Sequence, residues 1–502
     1  MRYLLNAEQM AACDKATIGH FKVPSIVLME RAAMAVRDVV LERFPDARRI
    51  LVICGSGNNG GDGYAAARLL NLAGRCADVL FVGKHDRRTP ECSLEAEIFQ
   101  RYGGRELPDE ASLKGYDLIL DALFGIGLKT EIIGRYADVI GAVNRVDTPV
   151  MAVDMPSGVS ASSGQILGCA VQADLTVTMQ YEKLGQMLYP GAAMCGEILV
   201  KDVGITDACV KWENEPVYAL EKTDLRDLLP RRRPDAHKGT YGKLLLAAGS
   251  EGMAGAAYLS GGAALRSGCG LVRILSDQEN RTVLQSTLPE ALFAPWTEET
   301  DLSAHLAWAD AVAIGPGLGQ SSQRHALVEG FLSGWKGPIV IDADALNLIA
   351  ADAGLSRLLP PRAVLTPHPG EMSRLSSLFL DKAWSAGQVQ ADPVQMAFSC
   401  QEKLGCVCVL KGARTVIADM DQAWLNPYGN EGMAQGGSGD VLTGIIGGLL
   451  AQGADPADAA KAGVLLHALA GDLAANALGT RAMKAGDLIS FLPEVLVQCP
   501  SM

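Results

Sequence analysis

Basic residues are in the minority: 44 Lys and Arg stand against 57 Asp and Glu, a net charge of −13. Nucleic acid is gripped by a basic face, so no nucleic-acid partner is expected. Small anions are not excluded, because glycine-rich loops hold them through backbone N–H groups. Aromatic residues make up only 5% of the chain, against 55 glycines, which implies aliphatic packing and many tight turns. No segment reaches about 18 uninterrupted apolar residues, so no membrane span is expected. The start, Met-Arg-Tyr-Leu-Leu-Asn-Ala-Glu-Gln, lacks the apolar core of a secretion signal. The twelve cysteines show no CxxC…CxxC spacing, and Cys54, Cys269, Cys406 and Cys408 sit in apolar runs. Reduced, buried thiols in a cytoplasm are expected rather than zinc. The phosphate-loop pattern Gly-x-x-x-x-Gly-Lys-[Ser/Thr] is absent; Gly125-Ile126-Gly127-Leu128-Lys129-Thr130 is a near miss.

At 502 residues the chain is too long for one core, so two or more domains are expected. The spacing of apolar residues predicts helices over 7–20 and 25–43. A buried strand, 49–54, runs into Gly55-Ser56-Gly57-Asn58-Asn59-Gly60-Gly61-Asp62-Gly63, with a helix predicted over 64–73. Strand, glycine loop and helix open a Rossmann-like unit. Gly55, Gly57 and Gly60 fit Gly-x-Gly-x-x-Gly, but no acidic residue caps a second strand as an NAD site requires. Side-chain carbonyls and a carboxylate beside glycines suit a ribose, an amide or a hard cation. Strands are predicted over 77–82, 116–121 and 149–154, the last two ending on Asp121 and Asp154. Ligands of doubly wound sheets bind at strand carboxyl ends, so Asn58, Asn59, Asp62, Asp121, Lys129, Asp154 and Ser157 are expected to share one cleft. One such Asp alone reads better as a loop cap; the convergence favours a site.

Residues 206–235 read as a connector, with Glu213, Glu215, Glu221, Lys222, Asp224, Arg226 and Asp227 followed by Pro230-Arg231-Arg232-Arg233-Pro234. Beyond it, strands and helices alternate again, predicting a second three-layer α/β domain. Gly436-Gly437-Ser438-Gly439-Asp440 precedes an apolar run, 441–450. A glycine-rich turn opening a helix offers free N–H groups and a partial positive charge to an anion. Asp440 then stands where a carboxylate can take a proton from a hydroxyl beside a bound phosphate; an ordinary helix cap is the competing reading. His467, on an apolar helix face, reads as structural.

Asn-Asn-Gly-Gly-Asp-Gly (58–63), Asp-Ala-Leu-Phe-Gly-x-Gly (121–127) and Val-Asp-x-Pro-Ser-Gly (153–158) resemble the NAD(P)HX epimerase family across the first half. The resemblance implies a Rossmann-like domain over 1–215 and K⁺ held by Asn59, Asp121 and Ser157. It implies substrate contacts at Asn58, Asn59, Gly60, Gly61, Asp62, at Gly125, Ile126, Gly127, Leu128, Lys129, Thr130, Glu131, and at Asp154. Asp154 and Lys129 are the expected acid–base pair. Thr178–Gly185 departs from the family pattern, and although Lys183 matches, its surroundings weaken a role for it.

The second half is similar to the ADP/ATP-dependent NAD(P)HX dehydratase family, of ribokinase-like fold. The resemblance lies in His-Lys-Gly-x-Tyr-Gly (237–242), Gly-Pro-Gly-Leu-Gly (315–319), Asp-Ala-Asp-Ala-Leu-Asn (342–347), Leu-Thr-Pro-His-Pro-Gly-Glu (365–371) and Gly-Gly-Ser-Gly-Asp (436–440). It implies a domain over 222–502 in which Ala256, Gly317, His368 and Asp440 contact NAD(P)HX. Lys411, Gly412, Ala413, Arg414, Thr415, Gly437, Ser438 and Gly439 hold the nucleotide, with Mg²⁺ on its phosphates and Asp440 as base. The fused order resembles the bacterial form, which implies ADP over ATP; a homo-oligomer is also expected. The alternative is a ribokinase-like small-molecule kinase fused to a non-catalytic Rossmann-like binding domain, which predicts a stable phosphorylated product.

Overall fold

A computed structural model describes residues 1–108, 113–206 and 216–498. The chain divides into one unit of Tyr3–Pro216 and another of Met1–Arg2 with Val217–Met502. The connector charges Glu213 and Glu215, and the expected domain end at 215, lie outside the described residues. Among the described residues, no helix is long and apolar enough to cross a membrane, and all ten cysteines are free.

The main sheet of the first unit has seven strands among the described residues, all parallel, ordered Arg105–Glu106, Cys76–Phe81, Arg49–Cys54, Leu118–Ala122, Val150–Val153, Leu175–Met179, Glu197–Lys201. Both faces are covered, so the central strands are continuous apolar runs rather than alternating ones. Ile50, Val52 and Cys54 pack with Val36 and Val40 of helix Ser25–Arg43 and with Tyr64 and Ala67 of helix Asn58–Leu72. Leu51 and Ile53 face the other way, onto Ile140 and Val143 of helix Arg135–Val143. Helix Asn58–Leu72 begins six residues earlier than expected, so Asn58 to Gly63 are its first turns and not a loop. Close packing explains the glycines: a Cβ on Gly60 would stand 1.9 Å from the Gly55 carbonyl oxygen, and one on Gly63 would stand 2.6 Å from Ala122 Cβ.

In the second unit, parallel strands run in the order Leu292–Pro295, Leu271–Ser276, Lys243–Ala247, Ala311–Ile314, Ile339–Ile341, Val364–Leu365, Val407–Leu410. An antiparallel hairpin, Val416–Asp419 with Gln422–Leu425, follows. Helices Ala254–Arg266, Ser438–Ala451, Pro456–Leu478 and Ala485–Gln498 cover one face through Ala257, Ile445, Leu465 and Leu488, packed on Leu244, Val272 and Ala313. The described part of the expected connector, from 216 on, joins the fold. Val217–Ala219 pairs with Gln422–Leu425 in parallel, and Leu220, Leu225 and Leu228 join the core. Arg232 lies 3.9 Å over the Tyr241 ring and donates to the Gly268 carbonyl at 2.8 Å, while all three arginines of the basic triplet are exposed.

Candidate active sites

In the first unit, strand carboxyl ends and the helix Ala7–Gly19 enclose a cavity of about 830 Å³, within the range of small-molecule sites. Of the expected contacts, Asn58, Asn59, Asp62, Gly125, Ile126, Gly127, Leu128, Lys129, Thr130 and Asp154 line it. Gly60, Gly61 and Glu131 do not: Gly60 is pressed against Gly55, a Cβ on Gly61 would meet Met29 at 2.7 Å, and Glu131 is exposed outside the lining.

Asp154 follows the strand Val150–Val153 with φ 65°, in the left-handed region. Its Oδ1 accepts from the Lys183 ammonium, from the Met179 N–H at 3.1 Å and from Thr178 Oγ1 at 3.3 Å. Its carbonyl accepts from Gln186 Nε2 at 2.8 Å. Among the described residues nothing hydrogen-bonds Oδ2, which is left for a ligand. Lys183 is fully buried and also donates to Thr178 Oγ1 at 2.8 Å and the Met179 carbonyl at 3.0 Å, so all three ammonium protons are engaged. The weak role given to Lys183 from sequence is therefore corrected: it is the cation on Asp154. Lys129 is exposed at the cavity and makes no ion pair or hydrogen bond among the described residues.

Beneath the cavity, Asp121 is 2% exposed and Ser157 fully buried. Asp121 Oδ1 accepts from Ser157 Oγ at 2.6 Å, and Oδ2 accepts from the Ser157 N–H at 2.7 Å. No Lys, Arg or His pairs with Asp121 among the described residues. Burial pushes its carboxyl up to about 6, opposed by the Ser157 and Leu123 donors. Asn59 Nδ2 is buried without a partner, and the Asn59 side chain packs against Gly125. Amide oxygen and nitrogen are assigned rather than observed, so this position equally offers a carbonyl oxygen. A buried, uncompensated carboxylate beside a hydroxyl and an amide is a donor set that fits a weakly hydrated monovalent cation such as K⁺.

In the second unit, the expected residues gather at the carboxyl ends of four parallel strands. Helix Ser438–Ala451 opens on Gly437, whose φ of 92° suits glycine, so Asp440 lies in the first turn and not at the cap. A Cβ on Gly439 would stand 3.3 Å from Lys411 Nζ, so the Lys411–Thr415 turn and the anion hole meet. Lys411 pairs with Asp342 Oδ1 at 2.6 Å and lies 3.8 Å from Glu371. Asp342 Oδ2 accepts from Thr443 Oγ1 at 2.6 Å. Burial alone would lower the Lys411 ammonium, but the facing Asp342 and Glu371 outweigh it, so it is raised. Burial first, then Asp342, pushes the Asp440 carboxyl up to about 6 against the pull of Lys411. A Cβ on Gly317 would stand 2.9 Å from Ala256 Cβ, placing those two together. His368 caps its own helix: Nδ1 accepts from the Gly370 N–H at 3.0 Å, leaving a half-exposed ring.

His467 proves more than a filler of the helix face. Its Nε2 lies 2.9 Å from the Ser438 carbonyl oxygen and 3.2 Å from Ser438 Oγ. A carbonyl only accepts, so Nε2 carries the proton, and the Ser438 hydroxyl hydrogen is directed elsewhere. Burial holds the imidazole down at about 4, hence neutral. Neither Lys183 nor His467 announces itself by a local motif; each reaches its partner across 29 residues.

A carboxylate in the first turn of a glycine-led helix, at one end of a largely parallel sheet, marks the second unit as a ribokinase-like α/β fold. A ribokinase-like superfamily protein from Enterococcus faecalis shares 31% identity with it, covering 57% of this chain and 97% of that one with a TM-score of 0.50. The family model described as NAD(P)H-hydrate dehydratase matches residues 244–494, and that of the YjeF-related protein N-terminus matches 25–185. The bifunctional NAD(P)H-hydrate repair enzyme of Moorella thermoacetica is 39% identical over 98% of this chain and 96% of its own length. That of Escherichia coli is 38% identical over 93% and 89%. The chain belongs to the bifunctional NAD(P)H-hydrate repair enzyme family.

Proposed function

We propose that the first unit interconverts R- and S-NAD(P)HX and that the second dehydrates the S form to NAD(P)H with ADP, or ATP, as co-substrate. The observation that carries this reading is Asp154: one oxygen held by three donors, the other free, in a cavity of suitable size. NAD(P)HX carries a hydroxyl at C6, next to N1, whose lone pair helps that hydroxyl leave. Proton transfer at the C6 oxygen, with loss and return of water, exchanges the two forms without redox chemistry. Asp154 moves that proton; Lys183, Thr178 and Met179 fix the carboxylate. Asn59, Asp121 and Ser157 are the residues that would hold K⁺, which supplies the positive charge Asp121 lacks.

In the second unit, hydroxide is a poor leaving group until the C6 oxygen is phosphorylated. Asp440 deprotonates the hydroxyl, and the N–H groups of Gly437, Ser438 and Gly439 receive the transferring phosphoryl. Lys411 adds its charge, and residues 412–415 position the nucleotide. N1 then expels phosphate, and loss of the C5 proton restores the reduced ring. Mg²⁺, brought by the nucleotide, would neutralise charge on its phosphates. Asp342, Asp344 and Glu371 already accept bonds from Lys411, Gly319 and His368, so the chain offers the ion no ready-made cage.

The test is purified protein with racemic NADHX, with and without ADP or ATP, read by the absorbance of reduced nicotinamide. Conversion runs to completion in the wild type. After subtraction of spontaneous epimerisation, Asp154→Asn stops near half, and Asp440→Asn gives no dehydration while the epimers still equilibrate. A stable phosphorylated product would overturn the dehydratase reading, and complete conversion by Asp154→Asn would overturn the epimerase one.

A further inference from the structure

We propose that Asp14 is a second acid–base group of the first unit's cavity, serving the face of the C6 centre opposite to that served by Asp154. This rests on the epimerase reading and assigns the half of the chemistry that Asp154 cannot perform. Inversion by loss and return of water needs a proton donor where the hydroxyl departs and an acceptor where the new water attacks, on opposite faces of C6. One fixed carboxylate reaches one face.

Helix Ala7–Gly19 supplies the second group. Met10, Ala11, Asp14 and Ile18 form its cavity-lining stripe, at the spacing of one helix face. Asp14 is the only ionisable residue in that stripe. It is half-buried, and among the described residues it has no hydrogen bond or ion pair. A surface carboxylate would be solvated, and a structural one would be paired. The charged and titratable groups facing the same cavity are Asp62, Asp154, Lys183, Lys129, Arg87 and Glu91. Lys183 is committed to Asp154, and Glu91 accepts from Ser25 Oγ at 2.7 Å. Burial first, and then the Asp154 charge, raises the Asp14 carboxyl to about 6 against Lys183, so it takes up and releases a proton near neutrality. Burial first, and then the Asp154 and Asp14 charges, raise the Asp62 carboxyl well above its ordinary value.

The step balances. One carboxylic acid protonates the C6 hydroxyl, the C6–O bond breaks, water leaves, and the N1 lone pair forms an N1=C6 bond. A water on the other face then bonds to C6, the N1=C6 pair returns to N1, and the second carboxylate takes the proton. No electron or atom is gained overall, and the two carboxyl groups exchange roles in the reverse direction.

The experiment uses the full chain without nucleotide, separated R- and S-NADHX, and H₂¹⁸O. Inversion and ¹⁸O incorporation are followed together. Asp14→Asn is expected to lower inversion at least about a hundredfold while one epimer still exchanges its hydroxyl with solvent without inverting. Asp154→Asn should leave such exchange in the other epimer. A merely structural role for Asp14 would lower exchange and inversion together for both epimers, and that outcome overturns the proposal. So does inversion within twofold of wild type in Asp14→Asn. If Asp154→Asn inverts like wild type, the epimerase reading itself fails, which is a distinguishable result.

Discussion

On the proposed K⁺ site, Asp121 is expected to make stability depend on both pH and potassium. Its folded carboxyl lies near 6, above its ordinary 3.8. Burial therefore favours folding only below pH ~4, and the native state loses ground as pH rises through 6. The rise corresponds to about 3 kcal/mol once both states are ionised. Between pH 5 and 7.5, linkage predicts that the penalty grows by about 1.4 kcal/mol. Asp14 and Asp440 share the same sign, so Asp121→Asn isolates the effect. The amide keeps an acceptor for the Ser157 N–H and forfeits roughly 1 kcal/mol of hydrogen bonding. In potassium-free buffer at pH 7.5 the variant should be more stable than wild type by about 2 kcal/mol, the 3 less the 1. Added K⁺ should close that gap by stabilising wild type alone. Two units make a single unfolding midpoint ill-defined. The assay is hydrogen exchange of the amides in 118–124, corrected for intrinsic rate, in the full chain. Curves for wild type and variant that stay parallel from pH 5 to 7.5, or K⁺ protecting both equally, would refute the argument.

The remaining expectations concern one residue in each unit. With Asp440 as the proposed base and its carboxyl raised to about 6, the dehydration rate should fall tenfold per pH unit below 6; a flat profile down to pH 5 would exclude it as the base. Gly60→Ala places a methyl 1.9 Å from a backbone oxygen, so the first unit should lose about 3 kcal/mol or more. Epimerisation should fail, yet dehydration of S-NADHX should continue; a normal melting curve would show that the helix start can shift.

Much of both sites was legible because parallel α/β sheets put chemistry at strand carboxyl ends. Asp154, Asp342 and Lys411 follow strands that read as plain apolar runs, and Asp121 is the next-to-last residue of another. What escaped was set by tertiary contact. Gly60 and Gly61 look like ligand-binding glycines but are small because the helix lies close against its neighbours. The hairpin Val416–Asp419 to Gln422–Leu425 turns on Met420-Asp421, with Met420 at φ 51°. Neither residue carries the usual Asn-Gly signal. Val217–Ala219 hid in a charged stretch because its partner strand lies some two hundred residues away. Lys183 was discounted for its neighbours in sequence, whereas its neighbours in space define it.

The left-handed backbone of Asp154 ties two selections to one codon. Glycine, asparagine and aspartate enter that region with least strain, so alanine at this position perturbs the chain path as well as the acid. A library randomised at 154 should favour Gly, Asn and Asp among its most stable members, other residues costing about 1–2 kcal/mol, with only Asp active. The position is thus constrained twice over: most substitutions there weaken the chain path and remove the acid in the same step.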